Sequence, residues 1–143
     1  MRPVSPVALA AALAVSWASM LAHNLYELPL SPVDAENSGP LVVAAGLGIA
    51  YAVSGGSRPV AAAALGWGVL NLVIGGIVSV LPLPILPFVP EQSLTHYGAH
   101  VVYSLGQVPL VVGAWRATRA SSGDRAGQPE FRPDSEAHRP STR

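Results

Sequence analysis

Long apolar runs separated by short polar breaks dominate the first 115 residues of this chain. A helix that crosses a membrane needs about 20 mainly apolar residues, because it rises about 1.5 Å per residue through a hydrocarbon core of about 30 Å. Four segments meet or approach that length, and each is predicted to be a membrane-spanning helix. They cover residues 6–26, 40–54, 59–81 and 93–115.

Capping and breaking residues mark the ends of these segments. Pro40, preceded by Ser38, is typical of the first turn of a helix, and the glycine pair at 55–56 is typical of a helix end. Ser93 stands where the fourth segment needs an N-cap. The second segment is short, so spanning would require a thinner bilayer or an extension at its ends.

The stretch between the third and fourth segments is LPLPILPFVPEQ, which contains four prolines. Proline fixes φ and lacks a backbone donor, so this stretch is predicted to avoid regular helix and to follow an extended, polyproline-like path. Because its other residues are mostly apolar, we expect it to lie along the membrane surface.

Charged residues are concentrated at the C-terminal end. Residues 1–115 contain six charged side chains, whereas the last 28 residues contain ten. The segment 116–143 is rich in arginine, serine, proline and acidic residues and has a single aromatic side chain, Phe131. Such a composition buries too little apolar area to offset chain entropy, so this tail is predicted to be disordered.

Arginines and acidic residues occupy opposite sides of the predicted spans. Arg2, Arg58 and Arg116 flank one side, whereas Glu27 and Glu91 lie in the loops of the other side. The positive-inside rule then places both termini in the cytoplasm and the acidic loops outside the cell membrane. The predicted fold class is an all-α, polytopic, four-helix transmembrane bundle with a disordered cytoplasmic tail.

The first segment has a second interpretation. Arg2, the alanine-rich run and the small residues around Ser16-Trp17-Ala18 are also typical of a cleavable signal peptide, and cleavage would leave three spans. The apolar run continues past Ala18 and reaches spanning length, which favours an uncleaved helix.

Composition excludes or disfavours several function classes. The chain is 50% hydrophobic and 11% charged and has no cysteine, which excludes disulfides, thiolate metal sites and thiol catalysis. Its basic residues are sparse and are not interleaved with aromatic residues, so no nucleic-acid partner is predicted. No nucleophile with its base, phosphate loop or paired carboxylates is present, so an enzyme is the less favoured class and no catalytic residue is predicted.

Two of the predicted helices carry a polar stripe. Residues three or four apart lie on one helix face, and one such face in the fourth segment is formed by His96, His100, Tyr103 and Gln107. The corresponding face of the first segment is formed by Ser16, Ser19, His23 and Glu27. A lipid-facing helix would not carry such a stripe, so we expect the two stripes to meet in the outer half of the bundle.

Three imidazoles and a carboxylate would suit a transition metal such as zinc, copper or iron. The predicted metal ligands are therefore His23, Glu27, His96 and His100. Alternatively, His23 and His100 could bind a haem as its two axial ligands. Tyr26, Tyr103 and Asn24 are candidates for orienting the imidazole rings.

Two further alternatives involve no metal. The same groups could form a proton or ion relay. They could also be an interfacial aromatic belt with hydrogen bonds between helices. The spacing H-x-x-x-H lacks the adjacent glutamate of zinc peptidases, so no peptidase activity is predicted.

The remaining intramembrane polar groups are predicted to hold helices together. Asn71 lies in the middle of the third segment, and its amide is expected to bond another helix, with Gln107 as the candidate partner. Alanine and glycine also recur at intervals of four, which favours close helix packing. In the first helix these small residues are Ala10, Ala14, Ala18 and Ala22. In the third segment Ala64, Gly68 and Gly76 share such a stripe.

Two function classes follow from these observations. In the first, the chain is a membrane protein that binds a ligand or handles electrons or ions through its histidines. In the second, it is an accessory subunit whose small-residue faces pack against other membrane subunits or a second copy of itself.

Overall fold

The computed structural model describes residues 3–123, and within that range the chain is helical and contains no strand. The predicted all-helical class and the four helices are confirmed. The helices are α1 (Pro6–Glu27), α2 (Ala35–Val53), α3 (Arg58–Leu70) and α4 (Leu94–Gly123). At its C-terminal end α3 passes into a π-helical segment, Asn71–Ile77, and then a 3₁₀ turn, Val78–Val80.

Two helical stretches are long and apolar enough to cross a membrane. They are Pro6–Glu27, with a mean hydropathy of 1.5, and Arg58–Val80, with a mean hydropathy of 1.9. Of the 18 most apolar consecutive residues in each stretch, only 28% in the first and 22% in the second are buried within the chain. Both stretches therefore direct most of their apolar surface outward, unlike the core helix of a soluble protein.

The N-terminus of α1 is capped by Ser5. The Ser5 hydroxyl accepts a hydrogen bond from the amide of Ala8 at 3.2 Å, and Pro6 occupies the first turn, where its missing N–H costs nothing. The helix ends at Glu27, one residue beyond the prediction, because Leu28 is extended ahead of Pro29.

Helix α2 begins at Ala35, five residues earlier than predicted, and Pro40 lies inside it. The start is set by Asp34, whose carbonyl accepts from the amides of Asn37 and Ser38 at 2.9 and 2.8 Å. Pro40 is close enough to the N-terminus that its missing N–H removes only one bond of the first turns. The early start also lengthens the second segment, which the sequence had left short.

Helix α4 extends to Gly123, eight residues beyond the predicted end at Trp115. The predicted disordered tail is therefore wrong for residues 116–123, and the rest of that prediction, 124–143, lies outside the described residues. Alanine, arginine and serine after Trp115 tolerate helix, and no proline or glycine intervenes before Gly123. Arg119 also stacks over the Trp115 ring, one turn earlier, at 4.2 Å.

The proline-rich stretch after Val80 contains no regular helix, but it is not a continuous extended strand either. The amide of Leu83 bonds the carbonyl of Leu81, and that of Leu86 bonds the carbonyl of Leu83, which makes two tight turns. Beyond them Val89 is 92% exposed. The Gln92 side chain closes the loop by donating to the carbonyl of Val80 at 3.2 Å.

Helix α4 is the central element, because both α1 and α3 pack along its length. The apolar core lies towards the end of the bundle where α1 and α3 begin, and its fully buried members include Leu9, Leu110, Ala61, Ala64 and Ala114. The predicted alanine stripe of α1 is not in this core: Ala10, Ala14, Ala18 and Ala22 are all exposed. The buried face of α1 instead carries Leu9, Ala12, Leu13, Ser16 and Met20.

Close approach of α1 to α4 depends on Gly106. A Cβ added there would collide with the side chain of Ser19. The absence of a side chain at this point lets the polar faces of the two helices come into direct contact.

Candidate functional site

The four predicted ligand residues lie together between the C-terminal end of α1 and the N-terminal end of α4. The Nε2 atoms of His23 and His100 are 3.1 Å apart. The Nδ1 atom of His96 lies 2.6 Å from Oε2 of Glu27. The ring centroids of His96 and His100 are 4.6 Å apart, so the three imidazoles form one cluster.

His100 is the most buried of the three histidines, with 5% of its surface exposed. Its Nδ1 lies 3.2 Å from the carbonyl oxygen of Gly76, in the π-helical segment. A carbonyl oxygen can only accept a hydrogen bond, so Nδ1 carries the proton. In a neutral His100 ring, Nε2 then has no proton and presents a lone pair. π-Helical turns are often found at functional sites, and here the turn directs a backbone carbonyl towards an imidazole.

Two adjacent glycines allow this contact. A Cβ at Gly75 would meet the Tyr103 hydroxyl at 2.5 Å, and a Cβ at Gly76 would collide with the Ser104 hydroxyl. Larger residues at these positions would push the π-helical segment away from α4, and the carbonyl of Gly76 away from His100.

His23 is oriented by a chain of amides. Its Nδ1 lies 3.2 Å from Oδ1 of Asn24, while Nδ2 of Asn24 donates to Oδ1 of Asn37 at 2.9 Å. Nδ2 of Asn37 in turn donates to the carbonyl of Ser31 at 2.7 Å. Of the three predicted orienting residues, Asn24 has this role, whereas Tyr26 is 68% exposed and the Tyr103 hydroxyl bonds elsewhere.

Only one of the two ring nitrogens of His96, Nδ1, is hydrogen-bonded. The Glu27 carboxylate accepts from Nδ1, so Glu27 lies behind the His96 ring and not at its Nε2 edge. The Nε2 atom of His96 is buried and has no hydrogen-bond partner among the described residues. A buried polar atom without a partner is costly, which marks this nitrogen as one that a ligand would satisfy.

All three imidazoles therefore share one pattern, with Nδ1 facing an oxygen atom and Nε2 directed to the cluster or unpartnered. In neutral rings that both carry the proton on Nδ1, the Nε2 lone pairs of His23 and His100 face each other at 3.1 Å, and a proton or a metal ion between them would relieve their repulsion. Within residues 3–123 no group of three histidine, aspartate or glutamate side chains has a geometry that could hold a metal ion as it stands. His96 is the member that is out of position, since its ring centroid is 6.3 Å from that of His23.

The arrangement does not fit a haem. Two axial imidazoles bind iron from opposite faces, so their nitrogens lie about 4 Å apart, at twice a bond of about 2 Å, with the macrocycle between them. The Nε2 atoms of His23 and His100 are instead in direct contact at 3.1 Å, and the ring of His96 packs against that of His100.

The polar stripes continue inward as a second set of hydrogen bonds between α1 and α4. Gln107 is fully buried, accepts from the Ser16 hydroxyl at 2.5 Å and donates to the Ser19 hydroxyl at 3.1 Å. The predicted bond between Asn71 and Gln107 is absent. Asn71 does bond another helix, but its Oδ1 accepts from the Tyr103 hydroxyl at 3.1 Å while its Nδ2 bonds the carbonyl of Trp67 in its own helix.

The polar groups end at the level of Gln107. Towards the beginning of α1, the seam between α1 and α4 is closed by Leu9, Leu13 and Leu110, all 2% exposed or less. Among the described residues no hydrogen-bonded path crosses this apolar layer, which disfavours a proton relay through the whole bundle.

A cavity of about 370 Å³ reaches the cluster from the side. Helix α1 lines it with Ala22, His23 and Tyr26, and α4 lines it with Thr95, Gly98, Ala99 and Val102. A Cβ at Gly98 would meet nothing within 4 Å, so the opening is not filled by a neighbouring element. Of the three clustered histidines, only His23 lines this open depression.

Two residues of the site were missed by the sequence reasoning. Asn37 was placed before the second helix, although it lies inside α2 and is fully buried. Gly76 was assigned only to a packing stripe, because the sequence does not show which backbone carbonyl faces an imidazole. The signal available for Asn37 was its position in an acidic and polar group, Asp34-Ala-Glu-Asn-Ser, next to the start of an apolar run.

Comparison of this chain with protein-family models, curated proteins and solved structures finds no match.

Proposed function

We propose that this protein is a four-span membrane protein that binds one divalent transition-metal ion in the outer half of its helix bundle. The ligands are the Nε2 atoms of His23, His96 and His100, and Glu27 orients His96. The observation that carries the proposal is that Nδ1 of every one of these rings faces an oxygen acceptor.

This pattern matches the chemistry of metal-bound histidines. A histidine that ligates a metal through one nitrogen almost always donates its other N–H to a carbonyl, a carboxylate or a similar oxygen, which fixes the tautomer and the ring orientation. His100 uses a backbone carbonyl, His23 a side-chain amide and His96 a carboxylate. Three neutral nitrogen donors suit zinc and similar borderline ions.

The spacing of the first two ligands is close to that of a metal pair. Two nitrogens bound tetrahedrally at about 2.0–2.1 Å lie about 3.3 Å apart. His23 and His100 hold their Nε2 atoms 3.1 Å apart, so a small outward movement would accommodate the ion. His96 completes the site by turning its unpartnered Nε2 towards the pair, and a water would occupy the fourth position.

Outward-facing apolar side chains support the membrane part of the proposal. Besides the two helical stretches long and apolar enough to span, α2 and α4 expose large aliphatic residues in their middle turns, including Ile49 at 64% and Leu105 at 64%. Water would not favour these faces, whereas acyl chains would. Arg58 and Arg116 lie at the end of the bundle that the positive-inside rule assigns to the cytoplasm.

Metal content tests the site. The chain is purified in detergent, loaded with zinc, dialysed and analysed for bound metal by mass spectrometry. We expect about one zinc per chain, lost in the His100→Ala variant and retained in His138→Ala, which alters the one histidine of the sequence that is not a proposed ligand. Failure of the unsubstituted protein to retain zinc would contradict the proposal.

The topology can be tested separately, because the natural chain has no cysteine. Single cysteines are introduced by Val33→Cys, Val89→Cys and Ser57→Cys and are treated on intact cells with a membrane-impermeant maleimide. Four spans with cytoplasmic termini predict labelling at 33 and 89 and protection at 57. Labelling at 57, or protection at both 33 and 89, would contradict that topology.

A role as an accessory subunit is the second candidate. It is favoured by an apolar groove of about 540 Å³ between α1 and α2, whose walls include the exposed Ala10 and Ala14 and, across from them, Ala45 and Ala52. Metal-free protein that co-purifies in a defined ratio with another membrane protein would favour this function over metal binding.

A further inference from the structure

We infer that Asn37, on α2, is a positioning residue that fixes the tautomer of His23 through Asn24. This inference rests on the proposed function, because it assigns the origin of one of the three metal-binding nitrogens. Asn37 does not touch an imidazole: it acts through the side chain of Asn24, which bonds Nδ1 of His23 at 3.2 Å.

The donor and acceptor directions in this series of hydrogen bonds are set by the backbone carbonyl of Ser31, at the end remote from His23. The oxygen and nitrogen atoms of an asparagine amide can exchange places by a flip, so each orientation must be derived from the partners. The carbonyl of Ser31 can only accept, so the Asn37 atom 2.7 Å from it is the NH₂ group. The Asn37 oxygen is then the atom that faces Asn24.

Each later link follows from the one before. The Asn37 oxygen accepts at 2.9 Å, so Asn24 must present its own NH₂ group there and its oxygen to His23. An oxygen facing Nδ1 of His23 requires a proton on that nitrogen. A neutral His23 therefore has its lone pair on Nε2, directed at His100.

The position of Asn37 is fixed by burial and by hydrogen bonds. The residue is fully buried, its amide is bonded to the carbonyl of Asp34 at 2.9 Å, and its own carbonyl accepts from the indole of Trp17 at 3.0 Å. Both its backbone and its side chain are thus held, by the loop before α2 and by α1. Without Asn37, Asn24 could flip, donate to Nδ1 of His23 and move the ring proton to Nε2, where it would block the metal.

The test compares zinc affinity and the His23 tautomer in four forms of the full-length protein. The first is the natural chain. The second is Asn37→Leu, which removes the side-chain amide that orients Asn24. The third combines Asn37→Leu with Asn24→Asp, because a carboxylate can only accept and so restores the proton to Nδ1 of His23. The fourth, Asn71→Leu, is the matched control, since it deletes a bond between helices that does not involve an imidazole.

We expect Asn37→Leu to weaken zinc binding about 10- to 100-fold, the range found for residues behind a metal ligand, and Asn71→Leu to leave it within about threefold. The double variant should recover most of the affinity. In the metal-free protein, ¹⁵N NMR at a pH where the rings are neutral should show the His23 proton on Nδ1 in the natural chain and partly on Nε2 in Asn37→Leu.

Natural affinity and an unchanged tautomer in Asn37→Leu would overturn the inference. A loss of affinity that Asn24→Asp does not restore would also overturn it, because a merely structural role for Asn37 predicts that result. If the natural chain binds no zinc, the proposed function fails, while the NMR comparison still decides whether Asn37 controls the tautomer.

Discussion

His23 and His100 face each other through their Nε2 atoms at 3.1 Å, although they are 77 residues apart in the chain and lie on different helices. Each ring turns its Nδ1 away, towards an amide oxygen in one case and a backbone carbonyl in the other. Two lone pairs fixed in this way repel each other unless a cation lies between them. This contact is the basis of the proposed metal site.

Glu27 is expected to tune the metal affinity through His96. The Glu27→Gln substitution replaces the carboxylate 2.6 Å from Nδ1 of His96 with a neutral amide. The amide oxygen accepts the hydrogen bond more weakly, so Nε2 of His96 becomes a weaker metal ligand. Zinc affinity, measured by competition with a chromophoric chelator, should fall about tenfold. Glu91→Gln is the control, because Glu91 is exposed in the proline-rich loop, and it should leave the affinity unchanged. Equal effects of the two substitutions would argue against a role for Glu27.

Gly76 is expected to be required for the contact between the π-helical segment and His100. A Cβ in Gly76→Ala would collide with the Ser104 hydroxyl and displace the carbonyl that holds Nδ1 of His100. Both the zinc affinity and the resistance to unfolding by sodium dodecyl sulfate should decrease. Adding Ser104→Ala removes the colliding atom, so the double variant should recover both properties. A double variant no better than Gly76→Ala would show that the collision is not the cause.

Gly106 is expected to be required for the α1–α4 contact, and Gly113 supplies a matched control on the same helix. A methyl group at 106 would collide with Ser19, whereas one at 113 would meet nothing within 4 Å. Overpacking of this kind typically costs about 1–3 kcal/mol. Unfolding by sodium dodecyl sulfate should therefore occur at lower detergent fraction for Gly106→Ala and at an unchanged or higher fraction for Gly113→Ala. The reverse order would mean that the helices do not meet at Gly106.

The sequence predicted the parts of this structure that depend on periodicity. Spacing of three and four residues placed His96, His100 and Gln107 on one face and His23 and Glu27 on another, and the two faces meet. The start of the apolar run also placed the beginning of α1 at Pro6, where the structure has it.

Predictions that needed tertiary information were less accurate. Asn71 bonds Tyr103 and not Gln107. Which of these side chains it meets depends on the rotation of each helix about its own axis, which the spacing of polar residues does not determine. The start of α2 was misplaced because a proline can lie within the first turns of a helix as well as at its first residue. The end of α4 was misplaced because a composition typical of disorder does not prevent a helix from continuing past its apolar part.

The small-residue pattern identified packing faces without assigning their partners. In α3 and the π-helical segment that follows it, the stripe of Ala64, Gly68 and Gly76 is buried against α4, as expected for close helix packing. In α1 the alanines at intervals of four are exposed, and leucine and serine make the contacts. Alanine and glycine are common in membrane helices in general, so their spacing alone does not distinguish a buried face from an exposed one.

The most direct test of the central claim is X-ray absorption spectroscopy at the zinc edge on the zinc-loaded, dialysed protein. The account predicts a first shell at about 2.0–2.1 Å, with the multiple-scattering signature of about three imidazoles. The signature should fall to about two imidazoles in His96→Ala. A first shell of oxygen atoms with one imidazole or none, or protein that retains no zinc, would contradict the claim that the three histidines share a metal ion.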